Sequence, residues 1–304
     1  MTGYWGEIKQ QYQRIQGKTK ILVTSYGDVE YSEGGTGPDV LISHGSGGGF
    51  DQGQLIAQAV LNQQFHWITP SRFGYLQSTY QPGSTFDEQA HAYAALLDHL
   101  GIDKVAVVAL SHGGPSALLF AVLYPERVSS LTLISAGVTN IASENQKQAH
   151  RQGTALTYIY KHDWLYWTAT KLFKKQFMKL MGATDQVIQE LTTEQKELIN
   201  RIIDEMNPAS QRYLGARFDN QATLPGIRIA SIRAPTLLIH AKDDTLQRHQ
   251  NAEYAASKIP DSKLVSYERG GHLLLAVELA DIKKLVQEHI HRAPMEKVQT
   301  SMIG

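Results

Sequence analysis

Apolar residues along this chain come in short, dense runs. "KILVTS" (20–25), "DVLISHG" (39–45), "HWITPS" (66–71), "KVAVVAL" (104–110), "SLTLISA" (130–136), "TLLIHA" (236–241) and "KLVSYE" (263–268) each have the length of a strand. Most are continuous Val, Ile and Leu rather than alternating with polar residues. Parallel strands buried on both faces need that pattern. Between the runs the apolar spacing lengthens to three and four, which predicts helices. "TFDEQAHAYAALLDHLG" sets Thr85 and Glu88 at capping-box spacing and ends on Gly101, a common helix stop. "GGPSALLFAVLYPERV" breaks near Pro125, and "LLLAVELADIKKLVQEHIH" lies near the C-terminus. Strand–helix alternation predicts an α/β fold with a doubly wound, mostly parallel sheet.

The alternation stops between about 138 and 228. This stretch reads as wholly helical and carries Tyr158, Tyr160, Trp164, Tyr166, Trp167, Phe173 and Phe177. It interrupts the sheet between two core strands. Ligands of such sheets bind outside the carboxyl ends of the strands, so the insertion is expected to cap that end. The expected organisation is a core over 1–137, a helical cap over 138–228 and the rest of the core over 229–304. At the N-terminus Trp5, Ile8, Tyr12 and Ile15 recur at three and four. They predict a short amphipathic helix docked on the body, with a peripheral membrane contact as the less favoured reading.

Composition narrows the classes. Lys plus Arg and Asp plus Glu each count 29, so the net charge is zero, and no basic run points to nucleic acid. There is no cysteine, which excludes disulfides and thiolate metal sites. No apolar run reaches the ~18 residues of a spanning helix, and the first residues hold no hydrophobic signal region. A cytoplasmic location is expected. His91, His99, His150, His162, His289 and His291 show no coherent ligand spacing. No metal or cofactor is predicted, and the oligomeric state is left open.

The chemistry gathers at "VAVVALSHGGPSALL" (105–119), a strand running into a helix with Ser111 at the corner. Ala109-Leu110-Ser111-His112-Gly113 fits the elbow G-x-S-x-G with Ala for the first Gly. The corner lifts the hydroxyl above the sheet, and the helix that follows points its N-terminus at the same spot, favouring negative charge. A serine needs a base and an orienting acid, expected later in the chain in the order acid, His. Asp243 and Asp244 follow one apolar strand, and His272 follows another on Gly270-Gly271. The residues alone leave both aspartates open. An acyl-transfer oxyanion also needs donors. One is the His112 N–H. The other is expected from His44-Gly45-Ser46-Gly47-Gly48-Gly49, which lacks the Lys-Ser/Thr of a phosphate-binding loop.

"LISHGSGGG", "PSRFGYLQS", "ALSHGG", "YPERV", "HAKDDT" and "GGHLL" occur in the order seen in the α/β-hydrolase superfamily, which the chain resembles over nearly its full length. The resemblance implies the α/β-hydrolase fold and gives the acid to the fourth position of a G-x-x-D turn. That is Asp244 in Ala241-Lys242-Asp243-Asp244, again with Ala for Gly; Asp243 would then stabilise the turn. It also implies Ser46 as the second oxyanion donor, with Gly47 as second choice; His44 is expected to brace the loop by hydrogen bonds. A Ser nucleophile argues against the dehalogenase and epoxide-hydrolase branches. It leaves esterases, lipases, thioesterases, lactonases, C–C hydrolases, perhydrolases and some peptidases.

The aromatic cap favours a small to medium apolar or aromatic substrate. Trp164, Tyr166 and Trp167, with Tyr75 from the loop after "HWITPS", are the candidate substrate contacts. The expected function is hydrolysis of a small-molecule carboxylic ester through an acyl-enzyme on a Ser111, His272, Asp244 triad. The alternatives are C–C hydrolysis of a dienoic ketone, since "HGSG" resembles that branch too, and a non-catalytic small-molecule binder of the same fold.

Overall fold

The structure is a computed structural model that describes residues 3–139 and 144–292. Residues 1–2, 140–143 and 293–304, which the expected domain boundaries take in, and the His150 side chain lie outside the described residues.

Eight strands form one sheet: β1 (Lys20–Thr24), β2 (Gly27–Gly34), β3 (Asp39–Ser43), β4 (His66–Pro70), β5 (Val105–Leu110), β6 (Val128–Ile134), β7 (Thr236–Ala241) and β8 (Ser262–Tyr267). Their order is β1-β2-β4-β3-β5-β6-β7-β8. β2 runs antiparallel to both its neighbours, and every other pairing is parallel. β2 is the strand that the apolar runs did not predict. It reads "GDVEYSEG": Val29 and Tyr31 enter the core, while Glu30 and Ser32 face the other way and are also buried. Burial is tolerable because both are bonded: Ser71 Oγ donates to Glu30 Oε2 at 2.8 Å, and Ser32 Oγ meets Thr69 Oγ1 at 2.7 Å.

Before and between the core strands lie α1 (Tyr4–Ile15), α2 (Phe50–Val60), α3 (Phe86–Leu100) and α4 (Gly113–Leu123). Thr85 and Glu88 form both bonds of the capping box on α3, and Gly101 ends it at φ 67°. Between β6 and β7 come α5 (Glu144–Tyr160), α6 (Asp163–Leu172), α7 (Lys174–Leu180), α8 (Asp185–Glu190), α9 (Thr193–Glu205) and α10 (Tyr213–Gln221). The chain then adds α11 (Gln250–Lys258), α12 (Leu274–Val277) and α13 (Leu279–Arg292). Strand alternation sorts the core into two layers. Val105, Val107 and Ala109 of β5 pack with α3 and α4, and Ala106 and Val108 with α2 and α13. The inserted helices hold a third apolar cluster of their own, joined by Leu273 and Ala276.

α1 docks on the insertion. Ile8 and Ile15 are buried, but Trp5 is 80% exposed, which departs from the face expected of it. Polar contacts hold the rest: Tyr12 Oη donates to Asp163 at 2.9 Å, Trp167 Nε1 to Glu7 at 3.0 Å, and Arg14 Nη1 to Asp51 at 2.7 Å. No helix among the described residues is long and apolar enough to cross a membrane.

The insertion also ties down the core's loops through two buried guanidinium–carboxylate forks. Arg72, just past β4, meets Asp219 of α10 at 2.5 and 2.8 Å, with both side chains essentially inaccessible. Arg212 grips Asp51 of α2 at 3.0 and 2.7 Å. Deleting one partner of such a pair strands a buried charge, which costs about 3–5 kcal/mol, whereas replacing both by apolar groups costs far less. Urea unfolding of Arg72→Met should therefore show a loss of about 3–5 kcal/mol, and the Arg72→Met/Asp219→Leu double variant should be more stable than that single variant. Losses that simply add would contradict the pairing.

Candidate active site

Ser111 stands between β5 and α4 with φ 52°, a left-handed backbone that a side chain rarely adopts. β6 and the start of α4 hold it there: its N–H donates to Ile134 O at 3.0 Å, and its carbonyl accepts Gly114 N–H at 3.0 Å. The corner leaves no room at Gly113, where a Cβ would run into the Ser43 carbonyl, or at Gly114, where one would come 2.7 Å from Ala136 Cβ.

His272 reaches this serine from the loop after β8. Its Nε2 lies 2.9 Å from Ser111 Oγ, and its Nδ1 lies 2.8 Å from Asp244 Oδ2. An ionised Asp244 can only accept, so Nδ1 carries the proton and Nε2 is left to accept from the serine hydroxyl. Asp244 follows β7 and is 1% exposed. Its other oxygen accepts Leu246 N–H and Gln247 N–H, both at 2.9 Å. His240 lies behind it, kept neutral by burial, and donates Nε2–H to Gln247 O at 2.8 Å. Asp243 turns away and accepts Gly271 N–H at 2.8 Å, which fixes the loop carrying the imidazole. The insertion touches that loop too: Gly182 at φ +89°, past α7, would have a Cβ 3.0 Å from His272 Cβ.

The glycine loop after β3 lies beside the serine. A point at a Gly45 Cβ would be 3.2 Å from Ser111 Cβ. His44 braces it as expected, with Nδ1 2.7 Å from Gly45 O and Nε2 accepting Arg72 N–H at 2.9 Å. Tyr75 is not a substrate contact here. It is buried under the loop, donating Oη–H to Asp219 Oδ2 at 2.5 Å. Burial and Asp219 push its phenol well above the ordinary value, so that proton stays. The phenol oxygen can then only accept: Gly47 N–H reaches it at 3.4 Å and Ser46 Oγ–H at 3.1 Å. The Gly47 N–H is thereby engaged. The His112 N–H opens α4 on the other side.

A cavity of about 60 Å³ opens at Ser111 and His272. Its roof is Met181, Ile199, Ile202, Ile203 and Met206 from the insertion, and its floor includes Gly45, Ser46, Gln52, Leu110 and Leu275. No lining residue is charged. The aromatic candidates lie elsewhere, which corrects the placement expected for them. Tyr166 is fully buried in the insertion's core and donates to Ile203 O at 2.7 Å, Trp167 seats α1, and Trp164 is 56% exposed. The roof was legible all the same: Ile199, Ile202, Ile203 and Met206 form one helical stripe at i, i+3, i+4 and i+7. Among the described residues no cluster of His, Asp and Glu could hold a metal.

His44 makes the loop sensitive to acid. Burial, with the Arg72 guanidinium beside it, holds its imidazole down at about 3. A histidine with a depressed folded value stabilises the fold above its ordinary ~6.5 and loses that contribution as the pH falls toward about 3. Stability measured by urea unfolding should decline from pH 6.5 downward, and His44→Asn should flatten part of that slope. An identical slope in the variant would show that the His44 ring does not titrate with unfolding.

A family model described as the alpha/beta hydrolase fold matches residues 38–279. The "Uncharacterized hydrolase YcgS" of Bacillus subtilis (strain 168) is 28% identical over 267 residues, 84% of this chain and 92% of its own. A 2-hydroxy-6-oxononadienedioate/2-hydroxy-6-oxononatrienedioate hydrolase of Burkholderia vietnamiensis (strain G4 / LMG 22486) is 26% identical over 272 residues, 87% of this chain and 91% of its own. Among solved structures, a thermophilic esterase from Thermogutta terrifontis superposes with a TM-score of 0.71 at 20% identity, over 92% of this chain and 100% of that one. With four-fifths of its length matched by the family model, the chain belongs to the alpha/beta hydrolase fold family.

Proposed function

We propose that this hydrolase cleaves carboxylic esters with a short acyl group through an acyl-enzyme on Ser111. The observation that carries the reading is the hydrogen-bonded series Ser111–His272–Asp244 at 2.9 and 2.8 Å, opening into an uncharged apolar cavity. Ser111 Oγ attacks the ester carbonyl while His272 Nε2 takes its proton. The Asp244 carboxylate holds the imidazole in register and stabilises the imidazolium. Charge develops on the carbonyl oxygen beside the N–H groups of Ser46 and His112, at the N-terminus of α4, where such charge is favoured. His272 then gives its proton to the leaving alkoxide, and a water attacks the acyl-enzyme by the same route in reverse. The insertion acts as a cap that sets acyl length through Met181, Ile202 and Met206.

A second reading, C–C hydrolysis of a dienoic ketone, is favoured by the printed activity of the Burkholderia vietnamiensis relative. A dienedioate brings two carboxylates, and a lining without a cation offers them no partner. The lining therefore supports the ester.

Rates on a series of p-nitrophenyl esters and on a meta-cleavage dienoate decide between the two. kcat/KM should fall by more than about tenfold from butanoate to decanoate, an apolar-contact effect of at least ~1.4 kcal/mol. The dienoate should be turned over poorly, and a preference for it would overturn the ester reading. Ser111→Ala should lower kcat by about 10⁴-fold or more. Asp244→Asn should cost on the order of 10⁴-fold, and Asp243→Asn far less. The reverse order of the two aspartates would assign the acid to Asp243.

A further inference from the structure

Gln52, the third residue of α2, is 7% exposed and lines the cavity at Ser111. Its carboxamide cannot turn freely. Oε1 accepts the Gly45 N–H at 2.8 Å, which sets the oxygen toward the loop and the –NH₂ away from it. Gly48 closes the other side, since a Cβ there would stand 2.6 Å from the same oxygen. Among the described residues the Nε2 donor has no hydrogen-bond partner and is not one of the sealed unpaired atoms, and Gln52 lines the cavity, which leaves the donor for what the cavity holds. The rest of that lining is mostly apolar, with Leu275, Ile199, Ile202 and Met206 among it. A buried donor left unpaired is costly, and the cost is recovered only when something in the cavity accepts from it.

The cavity that the carboxamide lines says which part of a substrate it meets. The leaving oxygen must face His272 Nε2, which protonates it. On the ester reading the acyl group fills the cavity under Met181, Ile202 and Met206, and Gln52 lines that same cavity close to Gly45 and Ser111. The group next to the carboxamide is thus the acyl part, close to the reacting carbonyl. Resting on the ester-hydrolase reading of the site, we infer that Gln52 is a specificity-determining residue: its –NH₂ binds an acceptor oxygen on the acyl group, so the enzyme selects esters of oxygen-bearing short acids, such as alkoxy- or oxo-acids, over their all-carbon isosteres. The neighbouring Ser46 hydroxyl does not replace it, since its proton goes to Tyr75.

Ethyl methoxyacetate and ethyl butanoate differ by one ether oxygen in place of a CH₂ and test this directly. Ser111→Ala, which binds esters without cleaving them, gives dissociation constants by NMR titration, free of the two esters' different intrinsic reactivity. The methoxyacetate-to-butanoate affinity ratio should drop about tenfold when Gln52→Met is added to that background, the worth of one neutral hydrogen bond in a buried site. Gln52→Glu at pH 8 keeps an acceptor for the Gly45 N–H while replacing the donor by an anion, and it should lower the ratio at least as far, so the test does not depend on the methionine variant folding. A ratio unchanged in both variants would overturn the role of Gln52. Failure of the unmodified enzyme to cleave either ester, with the binding ratio still dependent on Gln52, would overturn the ester chemistry alone.

Discussion

The left-handed backbone at Ser111 sets the rest of the site. Holding a non-glycine residue there costs on the order of 1–3 kcal/mol and persists only where the surroundings leave no alternative. Here β6 takes the Ser111 N–H at 3.0 Å, and Gly114 closes the turn onto its carbonyl. The close approach of β3 at Gly113 and of Ala136 at Gly114 follows from the same corner, so only small residues serve beside it. Because β5 lies centrally in a parallel sheet, the ends of β3, β7 and β8 converge on the lifted hydroxyl. They bring the glycine loop, Asp244 and His272 to it. The fold and the site thus share one constraint.

The glycine loop depends on a different kind of support. Glycines allow close approach to a ligand but supply no stiffness of their own. That comes from buried charge. Arg72 Nε donates to His44 O at 2.8 Å while its fork holds Asp219, and Arg212 donates to Gly48 O at 2.6 Å while its fork holds Asp51. Burial alone would raise the Asp51 and Asp219 carboxyls, but the guanidiniums beside them hold both below the usual range. Asp219 and Arg212 come from the helical insertion and its approach, so the segment that roofs the cavity also stiffens the loop beneath it. α1 joins through Arg14, which donates to Asp51, Glu205 O and Asn207 O.

These supports explain what could and could not be read from the chain. Buried parallel strands must be continuously apolar, so seven of the eight strands were legible as runs. β2 was not, because its buried Glu30 and Ser32 take partners that are distant in sequence. Ser111, Asp244 and His272 could be picked out because each stands just past a strand, although the choice of Asp244 over Asp243 rested on resemblance rather than on spacing. The aromatic cluster misled for a physical reason: large rings are what a small helical lobe needs for its own core and for seating α1, and Tyr166 and Trp167 serve there. Arg72 and Arg212 carry no local pattern, since an ion pair spanning 147 or 161 positions leaves no periodic signal.

The central claim is that Ser111 is a nucleophile activated by His272, whose imidazole Asp244 orients. Covalent labelling reads it most directly. A fluorophosphonate incubated with the enzyme and mapped by peptide mass spectrometry should modify Ser111, at a rate that drops sharply in His272→Ala and Asp244→Asn while Asp243→Asn still reacts. Labelling at another residue, or a Ser111 rate indifferent to the loss of His272, would contradict the account.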